Sequence, residues 1–206
     1  MTFWDIVAPI YDLFEKFNKP YKLMIDKLRE LTPQGANVLE LASGTGNISL
    51  AVSEKAKKVL CTDISESMLA ISNRKARKRK ATNIDFEKVN IFQTGKQDKQ
   101  FDVVIASQVL HLLDEPEKAC REIKRITADR AFIAIPLLKE VTPFGKFLIT
   151  LYKAVGFKPK FELDIDGCKA FCEVIGFRVC EYYIIKGTVS LCVAVWRVDN
   201  ENKPLN

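Results

Sequence analysis

The chain has one histidine, and its six cysteines nowhere form a C-x-x-C pair. A zinc site built from paired thiols and imidazoles lacks its ligand pattern, so no metal is expected. Cys61, Cys120, Cys168, Cys172, Cys180 and Cys192 then read as small core hydrophobes in a reducing compartment. Nothing approaches the roughly 20 consecutive apolar residues that a spanning helix requires. The opening "MTFWDIVAPIYD" has neither the basic start nor the small-residue cleavage site of a signal peptide, which makes a cytoplasmic location the expectation. Internal repeats and low-complexity linkers are absent too. What remains is 206 residues, 48% hydrophobic and 28% charged, enough for one ordinary domain with a single core.

The net charge of +6 is modest, and much of the excess sits in "RKARKRK", residues 74–80. Clustered Lys and Arg release counterions from a polyanion, but no aromatic residue is interleaved here for base stacking. The run fits the solvated carboxyl end of a helix, where positive charge complements the dipole. No nucleic-acid partner is expected.

Short apolar runs alternate with amphipathic segments. The expected strands are "NVLEL" (37–41), "KVLCTD" (58–63), "IDFEKV" (84–89), "FDVVIAS" (101–107) and "RAFIAIP" (130–136). Helices are expected over 47–56, 65–80 and 115–127. Strict alternation means parallel strands with crossover helices, hence an α/β, doubly wound sheet. "FRVCEYYII" (177–185) and "VSLCVAVWRV" (189–198) are joined by three residues only, too few for a parallel crossover. The seven-stranded sheet should therefore end in an antiparallel hairpin, preceded by a helix closed at Gly176. Residues 35–136 form the expected ligand-binding core and 163–198 the last helix and hairpin. Outside this core lie residues 1–31, with helical patterns broken by Pro9 and Pro20, and an insertion at 137–162.

In "VLELASGTGNISLAV" (38–52) a strand ending in a carboxylate runs into a loop of small residues and then a helix. Gly44 and Gly46 permit positive φ and close approach of a ligand to the main chain, and the helix near Asn47 points free amides at the site. Asp63, ending the second strand, is placed to accept ribose hydroxyl hydrogens. A dinucleotide loop wants G-x-G-x-x-G, but Ser49 stands at the third glycine; a P-loop lysine is missing as well. Glu40 would repel a diphosphate and welcome a cation. The ligand expected is a nucleoside carrying positive charge and no phosphate.

"LELASGTGN", then "TDIS", then "FDVVIASQVLHLL" resembles the class I methyltransferases that use S-adenosylmethionine (SAM) and release S-adenosylhomocysteine (SAH). The resemblance spans about residues 35–198, and the Rossmann-like fold with its terminal hairpin agrees with it. "APIYD" is similar to the lid of the small-molecule, quinone-biosynthesis branch. The resemblance implies that Glu40 and the backbone of Ala42, Ser43, Gly44 and Gly46 hold the methionine end and that Asp63 holds the ribose. Ile64 and Met68 would flank the adenine, with Asn90 and Ile91 at its amino edge. Ser107 and Gln108 would line the transfer site, and Tyr11 would close it. Ala42 replaces the first glycine of E-x-G-x-G-x-G, which calls for negative φ there, and Asn90 replaces a common aspartate.

Methyl transfer from a sulfonium is an in-line displacement that positioning alone can drive. Where the acceptor needs a general base, His111 after the fourth strand is the first candidate. Cys168 and Cys172, at helical i, i+4 spacing, read as the inner face of a late helix. The segments 1–31 and 137–162 are rich in Phe, Tyr, Leu and Ile and should wall an apolar or aromatic small-molecule acceptor site. "FGKFLITLYKAVGF" either caps that site or rests on a membrane surface. A non-catalytic SAM-binding sensor or scaffold is the alternative, and an RNA methyltransferase a weaker one, since the fourth strand ends in "SQVL" and not Asn-Pro-Pro-Tyr. Oligomeric state is not encoded in any of these patterns.

Overall fold

A computed structural model describes residues 18–154 and 156–198. Tyr11 and "APIYD" lie outside the described residues. In chain order the elements are α1 (Lys19–Leu31), β1 (Asn37–Leu41), α2 (Asn47–Val52), β2 (Lys58–Asp63), α3 (Glu66–Arg79), β3 (Ile84–Lys88) and β4 (Phe101–Ser107). A 3-10 turn (Leu110–Leu112) follows, then α4 (Pro116–Ile126), β5 (Thr127–Val141), α5 (Pro143–Ala154), α6 (Ile165–Val174), β6 (Val179–Ile185) and β7 (Val189–Arg197).

The seven strands lie in the order β3-β2-β1-β4-β5-β7-β6. β1 to β5 are parallel, and β7 runs antiparallel to both β5 and β6. This is the doubly wound sheet with terminal hairpin that the alternation and the three-residue connection call for. β4 sits at the centre, and six of its seven residues are buried, as a strand covered on both faces requires.

Each face has its own core. On one, Ala119, Cys120, Ile123 and Ile126 of α4 form a helical stripe that meets Cys168, Phe171 and Cys172 of α6, with Trp196 edge-on to Phe177. On the other, Met24 and Leu28 of α1, Ile48 and Val52 of α2, and Leu69 and Ala76 of α3 cover the sheet. Five of the six cysteines are buried and all are unpaired by disulfides. Burial pushes the Cys61 thiol up to about 11, so it behaves as a core hydrophobe.

Pro20 sits in the first turn of α1, where the missing N–H is one of the orphans, and Asn18 accepts from the Tyr21 N–H. Other boundaries differ from the sequence pattern. α2 stops at Val52. β5 runs to Val141, so residues 137–141 of the expected insertion belong to the sheet. Pro136 is tolerated there because it lies past the last β4 pairing, Ser107 with Ala134. The basic run 74–80 occupies the exposed end of α3, with Lys80 as a left-handed cap (φ 57°).

Candidate functional site

Between β1 and β4 the winding reverses direction, and the loops after these neighbouring strands diverge to opposite faces of the sheet. A crevice at the carboxyl edge must open there. A cavity of about 260 Å³ occupies it. Its walls are Glu40, Leu41, Ala42, Ser43 and Gly44 from the β1 end, and Asp63, Ile64 and Met68 from the β2 end and α3. Val89, Asn90, Ile91 and Phe92 come from the loop after β3; Ser107, Gln108, Val109, Leu112 and Leu113 follow β4. Tyr21 of α1 and Ile48 of α2 complete the lining.

Glu40 is the buried floor of this cavity, 1% exposed. One carboxylate oxygen accepts from the Ser49 N–H at 2.8 Å and from the Ser49 hydroxyl at 2.5 Å. Ser49 is therefore not a lost phosphate-loop glycine but the residue that orients the acid. Burial raises the Glu40 pKa to about 8, opposed by the two Ser49 bonds; the Asp63 charge raises it further and Lys75 lowers it. A carboxyl so poised gains most from a cationic ligand.

Asp63 ties two loops together: one oxygen accepts from the Gly44 N–H at 2.8 Å and the other from the Ser65 N–H at 2.9 Å. The loop after β1 is held further by the Lys75 ammonium, which donates to Thr45 Oγ1 and Asn47 Oδ1. Asn90 turns its side-chain oxygen back to the Phe92 N–H at 3.0 Å. Ser107 donates to the Met24 sulfur at 3.6 Å.

The backbone is strained on both sides of the crevice. Ala42, directly after β1, has φ 52°, and Gln108, directly after β4, has φ 53°. The negative φ expected at Ala42 is wrong: the tight turn out of β1 imposes the left-handed conformation whether or not a glycine is present. Such strain concentrates where a structure holds a ligand.

The methyltransferase-domain family matches residues 39–135, the stretch that contains most of β1, all of β2 to β4, most of β5 and nearly all of the cavity wall. Over these residues the chain carries a methyltransferase domain similar to those of the class I SAM-dependent methyltransferases. The chain is 29% identical to the demethylmenaquinone methyltransferase of Renibacterium salmoninarum over 150 residues, 70% of this chain and 60% of that protein. To the ubiquinone/menaquinone biosynthesis C-methyltransferase UbiE of Escherichia fergusonii it is 26% identical over 183 residues, 77% of this chain and 73% of the relative. It thus spans about three fifths of the first of these relatives. Magnesium protoporphyrin IX methyltransferase (ChlM) from Synechocystis, solved with bound SAH, shares the fold at a TM-score of 0.65 and 15% identity, with 86% and 83% of the two chains covered.

The cofactor of this methyltransferase family fits what lines the cavity. Its ammonium and sulfonium groups suit a buried carboxyl floor, its ribose suits Asp63, and its adenine suits the apolar walls of Ile64, Met68 and Ile91. The absence of a phosphate-binding lysine in the loop is consistent with a ligand that carries no phosphate.

Eleven of the residues expected at the site line this one cavity, as the walls above show. Gly46 does not: at φ 74° it lies beneath the loop, packed against Ser72 of α3. His111, the expected general base, is also not there. The 3-10 turn carries its ring inward to 1% exposure, 6.0 Å from the Phe157 ring, and its carbonyl accepts from the Lys160 N–H at 2.8 Å. Neither ring nitrogen has a hydrogen-bond partner among the described residues. Burial lowers its pKa to about 4. Tyr21, Leu112 and Leu113 line the cavity too, although each stands in an ordinary helical or apolar sequence context that carries no ligand signal. No described residue of 137–162 lines the cavity. No described helix is long and apolar enough to cross a membrane, and among the described residues no cluster of His, Cys, Asp and Glu is placed for a metal ion.

Proposed function

We propose that this chain transfers a methyl group from SAM to a small apolar or aromatic acceptor of the quinone type. The observation that carries the proposal is the joining of Glu40 and Asp63 in one crevice, a cation site and a hydroxyl acceptor at the ends of adjacent strands, beside the apolar walls of Ile64, Met68 and Ile91. Glu40 would hold the ammonium end, and the backbone of Ala42, Ser43 and Gly44 would lie against it. Asp63 would take the ribose hydroxyls, Ile64 and Met68 would enclose the adenine, and Asn90 and Ile91 would meet its amino edge. Ser107 and Gln108 would face the methyl group. The menaquinone and ubiquinone relatives favour an acceptor of that chemistry.

The sulfonium supplies the leaving group, so the protein's part is to align it with the acceptor and exclude water. Alignment of this kind contributes up to about 7–11 kcal/mol in well-oriented systems. With His111 turned into the core, the carboxylates that line the cavity are Glu40 and Asp63, which this reading assigns to the cofactor, and catalysis by position is the form of chemistry it favours.

The test is calorimetric titration of SAM and SAH into the wild type, Asp63→Ala and Ile64→Asp, followed by an acceptor screen with demethylated quinols. Ile64 is 53% exposed and supports no other element, so its variant keeps the fold where Asp63→Ala loosens two loops. Binding lost in both variants, with turnover of a quinol, is the expected result. A folded wild type that binds neither compound overturns the proposal. Binding without turnover of any acceptor would favour the sensor alternative.

A further inference from the structure

Three of the exposed large hydrophobic side chains among the described residues lie on one helix. Phe144, Phe147 and Leu151 of α5 are 62%, 59% and 49% exposed. Their spacing of three and four residues lines them along one flank, and the two phenylalanine rings stack at 6.5 Å. Leaving them in water forgoes the burial that such residues usually gain.

The helix cannot simply roll over to hide them. Its inner side begins with buried Gly145, where a Cβ would come within 2.2 Å of the Thr188 carbonyl oxygen, so the first turn touches the β6–β7 turn with no side chain between. The Thr142 N–H donates to the same carbonyl at 3.1 Å, and Thr142 Oγ1 accepts from the Gly145 N–H at 3.1 Å. Leu148 and Ile149, on the inward side, are half-buried. These contacts fix which face looks out.

The charge within the segment that carries the stripe has one sign. Residues 142–161 contain four lysines and no Asp or Glu. Lys146 and Lys153 follow the opposite flank of the outward face, and Lys158 and Lys160 lie just beyond the helix. Lys153 pairs with Glu162 and Lys160 with Asp114, whereas Lys146 and Lys158 have no ion pair among the described residues. Apolar anchors beside unneutralised lysines complement an anionic lipid surface, with the rings reaching the acyl boundary and the ammoniums the headgroups. A protein partner of no stated charge would not explain the missing acids.

Position completes the argument. α5 leaves the carboxyl end of β5, the edge of the sheet onto which the cavity opens. We propose that α5 is an interfacial helix that docks this chain reversibly on anionic membrane lipid, with the cavity's edge toward the bilayer. Its use, access to a lipid-dissolved acceptor, rests on the acceptor chemistry proposed above; the docking itself does not.

The test is sedimentation of the full chain with vesicles of phosphatidylcholine alone and of phosphatidylcholine mixed with phosphatidylglycerol. Sedimentation with the mixed vesicles only is expected, reversed at about 1 M salt, where the screening length falls to about 3 Å. The double variant Phe144→Ser/Phe147→Ser should weaken it at least about tenfold, and Lys146→Glu/Lys158→Glu by about fivefold or more per lysine. SAM titration of each variant serves as the check on folding. No sedimentation with either vesicle, or sedimentation unchanged in the Phe variant, overturns the proposal. Concentration-dependent dimerisation lost in that variant, without vesicle binding, also overturns it and assigns the stripe to a second copy. Vesicle binding without SAM binding would overturn the proposed function and leave the docking intact.

Discussion

A single oxygen of the Glu40 carboxylate accepts both the main-chain N–H and the hydroxyl of Ser49. The acid is thereby oriented from below by the first turn of α2 while remaining part of the cavity wall. Orientation and burial act against each other: the bonds favour the charged form, and burial, the larger effect, favours the neutral one.

Cofactor binding should therefore be coupled to a proton. With its pKa raised to about 8, the free protein carries a protonated Glu40 at neutral pH. A cationic ligand favours the carboxylate, so binding expels the proton, and affinity should climb with pH and level off near 8. Glu40→Gln should remove that slope and weaken SAM binding at pH 8 by about 2–3 kcal/mol, in the range of hydrogen bonds to charged groups. Calorimetry in two buffers of different ionisation enthalpy reads the proton directly. For stability the sign is opposite: a carboxyl whose folded pKa exceeds its unfolded value of 4.5 stabilises below 4.5 and loses that contribution as pH rises through about 8. The ligand-free Glu40→Gln protein should therefore melt higher than the wild type at pH 8 and show a smaller gain at pH 5.

Ala42 holds a conformation that costs an L-residue roughly 1–2 kcal/mol. Glycine removes that strain but adds about 0.4–1 kcal/mol of unfolded-state entropy. Ala42→Gly should accordingly melt at or slightly above the wild type, while Ala42→Val, with a branched side chain at φ 52°, should lose about 2 kcal/mol or more. Thermal unfolding of both variants gives the comparison; a Val variant as stable as the Gly variant would contradict the left-handed turn.

Gly46 acts through packing. A Cβ there would stand 1.8 Å from Ser72 Oγ and 2.8 Å from Ser72 Cβ, and Ser72 is buried. Gly46→Ala should cost about 2–4 kcal/mol, the sum of overpacking and φ strain. Adding Ser72→Gly removes the clash and leaves the strain, so the pair should recover at least about 1 kcal/mol relative to additivity in a double-mutant cycle. Additive losses would place the fault elsewhere in the loop.

The sequence discloses what periodicity and chain geometry control. β1, β2 and β4 are apolar runs with turn residues at their ends, and three residues between β6 and β7 leave no alternative to a hairpin. Glu40 and Asp63 are legible because they end adjacent strands at the same edge. Tertiary contacts decide the remainder. The φ of Ala42 depends on the turn and not on the alanine, β5 outgrows its apolar centre because β7 pairs with its polar end, and Tyr21 reaches the cavity only because Pro20 opens α1 beside the hairpin turn. His111 is the clearest case: its position after β4 suggests the site, yet within its three-residue turn Leu112 faces the cavity while the His111 ring is buried away from it.

That inward ring makes the last prediction. The imidazole is buried with no hydrogen-bond partner among the described residues, and its pKa falls from 6.5 to about 4. Between those values the unfolded chain binds a proton that the folded chain does not, so stability must decline as pH drops from 6.5 towards 4. The full difference is about 3 kcal/mol. His111→Phe deletes the titration and removes an unsatisfied polar ring that costs about 1–3 kcal/mol. The variant should equal or exceed the wild type in melting temperature at pH 7, with the gap widening down to pH 4. SAM affinity should not change, because the ring does not line the cavity. If methyl transfer were instead abolished with SAM binding intact, His111 would be the acceptor's base after all, and the 3-10 turn would have to open during turnover.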